Sequence, residues 1–290
     1  DVTIFFDLFE VNPYGDDANV LNAIIEDMFT SASRHTRKYS SPSIAIIIYN
    51  TSSLETHSYS DQRGNLKLTN KTHSTIVIDY YTDVLCVWAW ISQPRLEEIH
   101  RQWIGKIEIR HRYVDIFGDS HNKITRQWGQ ENGFEDFYAH VEKSAAPFDE
   151  ITIHPDVWTK VRPRSSLQAH LLLKAVALVG RQQDVETMAL RIRLAFFEQG
   201  QDIGDWSLLW QLAAEERLVS TQLQTVLHNG SAISALSDDQ RRAGELGVKG
   251  SPTWVLNSGR QVLYGNVGYR ILNANIEELM KHPDMEASWC

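Results

Sequence analysis

The sequence predicts an α/β fold, and three observations carry that prediction. Thr75-Ile76-Val77-Ile78-Asp79-Tyr80 is an apolar, β-branched run of the kind that forms a buried strand, and Lys106 to Tyr113 alternates as a second strand beside it. Between them a helix begins near Cys86, which makes a βαβ unit. From about Phe134 to Ala243 the apolar residues recur at helical spacing, and strand-like segments return only at Thr253 to Asn257 and Gln261 to Tyr264. A long helical insertion, over about residues 120–245, therefore interrupts the strand order.

Residues 1–73 read as a separate small α/β element. A strand is predicted from Val2 to Val11 and a turn at Asn12-Pro13-Tyr14-Gly15. A helix over about Asp17 to Thr30 follows from Val20, Leu21, Ile24, Ile25 and Met28 at helical spacing, with Asp16 and Asp17 as caps. The apolar run Ser43 to Tyr49 is a second strand, and Thr51 to Thr72 is polar, with Asp61 to Asn65 as a hairpin tip. No chemistry attaches to this element, which is read as an accessory packing or dimerisation module; a homodimer is the candidate assembly.

The second region, 74–290, carries the informative residues. The helix after Cys86 bears Trp90, Ile91, Leu96, Ile99 and Trp103 on its apolar face. Leu171 to Leu178 and Leu190 to Phe197 form core helices of the insertion, the first capped by Ser165 or Ser166. Ser258-Gly259 joins the last two strands, and Asn273 to His282 closes the chain as a helix.

Composition narrows the function classes. A formal net charge of −9, with no basic stripe, argues against nucleic acid as a partner. No apolar run approaches the roughly 18 residues of a membrane span, and Asp1 to Phe6 lacks the features of a signal peptide. The two cysteines, Cys86 and Cys290, are far apart and make no disulfide framework; such sparing use fits a reducing, cytoplasmic location. The histidines are scattered without ligand spacing, so no metal is expected.

Cys86 is the chemical focus. A thiol between a strand and a helix N-terminus faces unpaired N–H groups and the positive end of the helix dipole, which favour the nucleophilic thiolate and predict a depressed pKa, moderated by Asp79 and Asp83. Trp88, two residues on, offers an apolar wall to a thiol substrate, whereas Trp90 belongs to the core face. Downstream, Ser251-Pro252-Thr253 places a proline immediately before a strand, where an X-Pro bond is a candidate for cis.

Together, the Asp83 to Trp90 junction, the strand Lys106 to Tyr113, the helical middle and the Ser251-Pro252 loop resemble the DsbA-like thioredoxin superfamily, in its branch of FrnE-like proteins, 2-hydroxychromene-2-carboxylate isomerases and kappa-class glutathione transferases. The resemblance covers residues 74–290 and implies a thioredoxin-like fold with a cis Ser251-Pro252 bond beside Cys86, and with Ser251, Pro252 and Thr253 binding substrate. It implies thiol–disulfide oxidoreductase chemistry on a small thiol or a protein disulfide. One departure is chemical. FrnE-like proteins have a second cysteine three residues after the first; this chain has Ala89 there, so the intermediate must be resolved by glutathione, as a co-substrate, or by Cys290. The isomerases and transferases usually carry serine where Cys86 stands. Glutathione-dependent transfer or isomerisation of a small hydrophobic molecule is the rival enzyme reading, and a non-catalytic binding or chaperone-like module the third.

Overall fold

In the computed structural model, residues 2–7, 44–50, 53–58 and 75–282 are described. The chain divides into two compact units, Asp1–Thr75 and Ile76–Cys290. Within the first, β1 (Val2–Asp7) runs parallel to β2 (Ile44–Asn50), and β3 (Ser53–Ser58) pairs antiparallel to β2. Strand β3 lies in the stretch read as a polar connection. Its sequence, Ser-Leu-Glu-Thr-His-Ser, carries too little apolar alternation to announce a strand, and pairing with β2 supplies what propensity does not. The expected turn at Asn12 to Gly15, the helix Asp17 to Thr30 and the hairpin tip Asp61 to Asn65 lie outside the described residues.

The second unit is a thioredoxin-like α/β structure built on a four-stranded sheet of order β5-β4-β6-β7. Strand β4 (Ile76–Thr82) is central and runs parallel to β5 (Ile107–Tyr113); β6 (Thr253–Leu256) and β7 (Gln261–Tyr264) complete the sheet antiparallel. Burial on both faces explains why β4 reads as a continuous apolar run instead of alternating.

The helix expected after Cys86 is broken in two, α1 (Val87–Ile91) and α2 (Gln93–Gln102). Pro94 is the physical reason: without an N–H it cannot continue the bonding of α1, and it sits comfortably in the first turn of a new helix. The insertion consists of α3 (Ser120–Trp128), α4 (Gly133–Ala145), α5 (Leu167–Val179), α6 (Gln182–Phe197), α7 (Trp206–Glu215), α8 (Ser220–His228) and α9 (Ser231–Glu245). The closing helix α10 (Tyr269–Lys281) begins before the predicted Asn273.

Two main cores flank the sheet region. One packs Ile78, Tyr80, Ile99, Trp254, Leu256, Ile276 and Leu279, from the strands, α2 and α10. The other joins Val84, Leu85, Val87, Ala89, Trp90 and Ile91 around Cys86 to the apolar faces of the insertion, including Trp158, Leu172, Phe196 and Phe197. The cysteine turn is thus part of the helical core and is fixed by it.

Candidate functional site

Strand β4 delivers the turn Asp83-Val84-Leu85-Cys86 at its C-terminal end, and Cys86 is the N-cap of α1. Asp83 shapes this turn from inside. Its carboxylate, fully buried, accepts hydrogen bonds from Leu85 N–H (2.9 Å), Ile116 N–H (3.1 Å), Phe117 N–H (2.8 Å) and Ser166 Oγ (2.8 Å). One side chain therefore ties the thiol turn to the segment after β5 and to the start of α5. Ser166 does occupy the N-cap of α5, but its hydroxyl is given to Asp83, and Ser165 Oγ accepts from Leu167 N–H instead.

His170, also fully buried, braces the same turn. Its Nε2 accepts from Val84 N–H at 3.2 Å, so the ring proton resides on Nδ1. Burial holds the imidazole neutral, well below its ordinary pKa, and the 3.7 Å separation from Asp83 Oδ1 is a contact with a neutral ring.

The Ser251-Pro252 loop meets this turn across a large sequence separation. The Ser251-Pro252 peptide is cis. Cys86 Sγ donates to the Ser251 carbonyl at 3.2 Å, and Asp83 N–H donates to Ser251 Oγ at 2.9 Å. Among the described residues the Ser251 amide N–H has no acceptor. Behind the loop, Thr253 is buried with its hydroxyl bonded to the Gly250 carbonyl at 2.8 Å, so it braces the loop from within. Gly250 is small of necessity: a Cβ there would lie 3.0 Å from the Tyr264 hydroxyl oxygen. Asn266 Oδ1 accepts from Ser92 Oγ (3.1 Å) and Arg95 (2.7 Å), fastening the segment after β7 to the α1–α2 junction.

Cys86 is 6% exposed, and here the structure corrects the expected thiolate. Burial pushes the thiol above its ordinary pKa; the Ser251 hydroxyl and the N–H groups of Ala89 and Trp88 oppose the rise, and the Asp83 carboxylate adds to it. The sequence argument weighed the helix terminus but not desolvation, and the helix providing that terminus is only five residues long. Trp88 is 37% exposed, whereas Trp90 is buried, stacked on Phe197 at 5.8 Å and bonded through Nε1 to the Thr152 carbonyl. Ala89 is fully buried. Cys290 lies outside the described residues.

Sequence reasoning missed Ser166 and His170 as parts of this site. They lie far from Cys86 in the chain, and nothing local distinguishes a serine and a histidine at a helix start from ordinary caps and core residues. Asp83 was visible, but only as a nearby charge. No cluster of residues able to hold a metal ion is found among the described residues, and no helix among them is long and apolar enough to cross a membrane.

A buried cysteine capping a helix, opposed by a Ser-Pro loop at the end of a mixed sheet, defines a thioredoxin-like protein with a thiol site. Residues 77–277 match the DSBA-like thioredoxin domain, and the chain belongs to that family. Among solved structures it is similar to a putative protein disulfide isomerase from Nitrosomonas europaea, with 15% identity, a TM-score of 0.61, and coverage of 72% of this chain and 99% of the other. It is also similar to the cytosolic disulfide reductase DsbM from Pseudomonas aeruginosa (22% identity, TM-score 0.53, 71% and 98% covered) and to a 2-hydroxychromene-2-carboxylate isomerase (16%, 0.52, 73% and 100%). No curated protein matches.

Proposed function

We propose that this protein is a monothiol member of its family, a thiol–disulfide oxidoreductase of the cytoplasm in which Cys86 is the attacking sulfur. The contact between Cys86 Sγ and the Ser251 carbonyl, with the neighbouring Ser251 amide unpaired, carries the reading. An extended substrate can pair with that open backbone while its disulfide lies against the cysteine. Deprotonated Cys86 attacks one sulfur of the substrate disulfide; a mixed disulfide forms and the other sulfur leaves as a thiolate. The thiolate of glutathione then attacks the mixed disulfide: at the Cys86 sulfur it expels the reduced substrate as a thiolate and leaves Cys86 glutathionylated, and at the substrate sulfur it expels the Cys86 thiolate and leaves the substrate glutathionylated; a second glutathione reduces the remaining mixed disulfide and leaves as oxidised glutathione. Cys290, in this reading, is the alternative resolving thiol.

A raised thiol pKa is compatible with this role. Attack proceeds through the deprotonated fraction, whose intrinsic nucleophilicity rises with pKa, and a substrate that displaces the Cys86–Ser251 bond frees the sulfur. The second reading, glutathione-dependent transfer or isomerisation, is favoured by two features: Ala89 leaves Cys86 without a partner inside its motif, and Trp88 presents an exposed indole two residues away.

Intact-mass analysis after incubation with oxidised glutathione tests the proposal. The wild type is expected to gain one glutathione that Cys86→Ser does not. If Cys290 resolves, Cys290→Ser accumulates the adduct while the wild type forms an internal disulfide. A wild type that gains nothing on Cys86, even after prolonged incubation at pH 9, removes the oxidoreductase reading.

A further inference from the structure

The protein contains a buried cation that no carboxylate among the described residues pairs. Arg193 on α6 is fully buried, and a guanidinium keeps its charge in any protein environment. Its acceptors are neutral: Thr82 Oγ1 at 3.1 Å and Gln93 Oε1 at 3.4 Å, while Nε has no acceptor among the described residues. This protein pairs other cations that are buried or half-buried. Arg112 bonds Asp79 (2.8 Å) and Asp239 (2.9 Å), and Lys174 bonds Asp239 (2.8 Å). A buried unpaired charge is strongly unfavourable, so Arg193 stands apart as a side chain whose electrostatic complement is not supplied by any described residue.

Arg193 forms part of a cleft of about 290 Å³ between α2, β5 and α6, at the low end of the ~300–1,000 Å³ typical of small-molecule pockets. His111 on β5 lines it too, and neither ring nitrogen has a partner. Burial, then the charges of Arg193 and Lys174, holds His111 down to about 3, so near neutral pH it carries one N–H donor and one lone pair. The cleft also has acidic groups: Glu97, which accepts from Gln93 at 3.0 Å, and Glu186, which faces His100 at 3.2 Å. Arg101 completes the charged lining, and it is paired with Glu98.

We propose that this cleft is a binding site for a small organic monocarboxylate, with the carboxylate on the Arg193 guanidinium and the His111 N–H as a second donor. The planar fork of arginine matches a carboxylate. Glu97 and Glu186 repel dianions such as phosphate or a dicarboxylate, and the volume leaves room for an organic substituent that a halide would not fill. None of the lining residues belongs to the Cys86–Ser251 site, so the inference does not depend on the redox reading.

The test uses the full chain, with propionate as probe, chloride at equal ionic strength as control and malonate as the dianion. Saturation-transfer NMR and thermal unfolding are read together. Propionate is expected to bind saturably and raise the unfolding midpoint of the wild type, with malonate at least tenfold weaker. Arg193→Met is expected to lose propionate binding at least tenfold; Thr187→Trp, which fills the cleft from its half-buried rim, should lose it as well. Equal responses in wild type and both variants, no saturable propionate signal, or malonate binding as tightly as propionate would each overturn the proposal.

Discussion

Asp83 and Arg193 are both fully buried charges close to the C-terminal end of β4, and they are treated in opposite ways. Asp83 accepts from three backbone N–H groups and a hydroxyl, each within 3.1 Å. Arg193 has two neutral acceptors and an idle Nε. A charge so completely satisfied has a structural task, here fixing the thiol turn against the insertion. A charge left open beside a cleft is arranged for something that arrives. The difference teaches that burial alone does not distinguish architecture from recognition; the inventory of partners does.

The sharpest way to break the comparison is to remove Asp83. Asp83→Ala leaves the Leu85 and Phe117 N–H groups and the Ser166 hydroxyl without an acceptor, while Ile116 N–H keeps the Val114 carbonyl; at about 1–3 kcal/mol for each unsatisfied group, reduced by relaxation, the loss should reach about 3–5 kcal/mol in urea unfolding. Arg193→Met should cost no stability in carboxylate-free buffer, because an apolar side chain of similar size replaces a buried charge that no described carboxylate pairs. Similar losses for both variants would erase the distinction between the two sites.

Acid should act next in magnitude. His111 and His170 are both buried and held neutral, so the unfolded state binds more protons than the folded one below their ordinary pKa of about 6.5. Stability from these groups is complete above that pH and is lost as pH falls toward about 3, the value for His111. The slope should reach about 1.4 kcal/mol per pH unit for each histidine, and unfolding of His111→Phe should show one histidine's share less. A pH-independent stability between 6.5 and 4.5 would contradict their burial as neutral rings.

At Cys86 the expected effect is kinetic. The alkylation rate of the native protein should keep rising above pH 8.5, since burial raises the thiol, and should plateau only at higher pH. A plateau below pH 8 would restore the thiolate that the sequence alone suggests. The smallest effect belongs to Trp88→Ala. Because the indole is partly exposed, stability should move by no more than about 0.5 kcal/mol, while formation of the glutathione adduct slows if the ring holds substrate.

Much of the architecture was legible because it rests on local patterns. β4 and β5 were visible as an apolar run and an alternating one, β7 as Gln261 to Tyr264, and the insertion as helical spacing around Leu171 to Leu178 and Leu190 to Phe197. The break at Ser92 was also written in the chain, as Pro94, but a continuous apolar stripe from Trp90 to Trp103 concealed it. β3 was not legible, since a polar edge strand has no period of its own and exists only through its neighbour.

By itself, the sequence determined the strand-turn-helix that presents Cys86, the loop Ser251-Pro252 and the absence of a second cysteine at Ala89, because junctions, prolines and cysteine spacing are properties of short segments. Only the tertiary structure decided the protonation of Cys86, the clamp of Asp83 by Phe117 and Ser166, and the isolation of Arg193 from every carboxylate among the described residues. Those depend on desolvation and on which distant groups meet, and neither quantity is carried by residues adjacent in the chain.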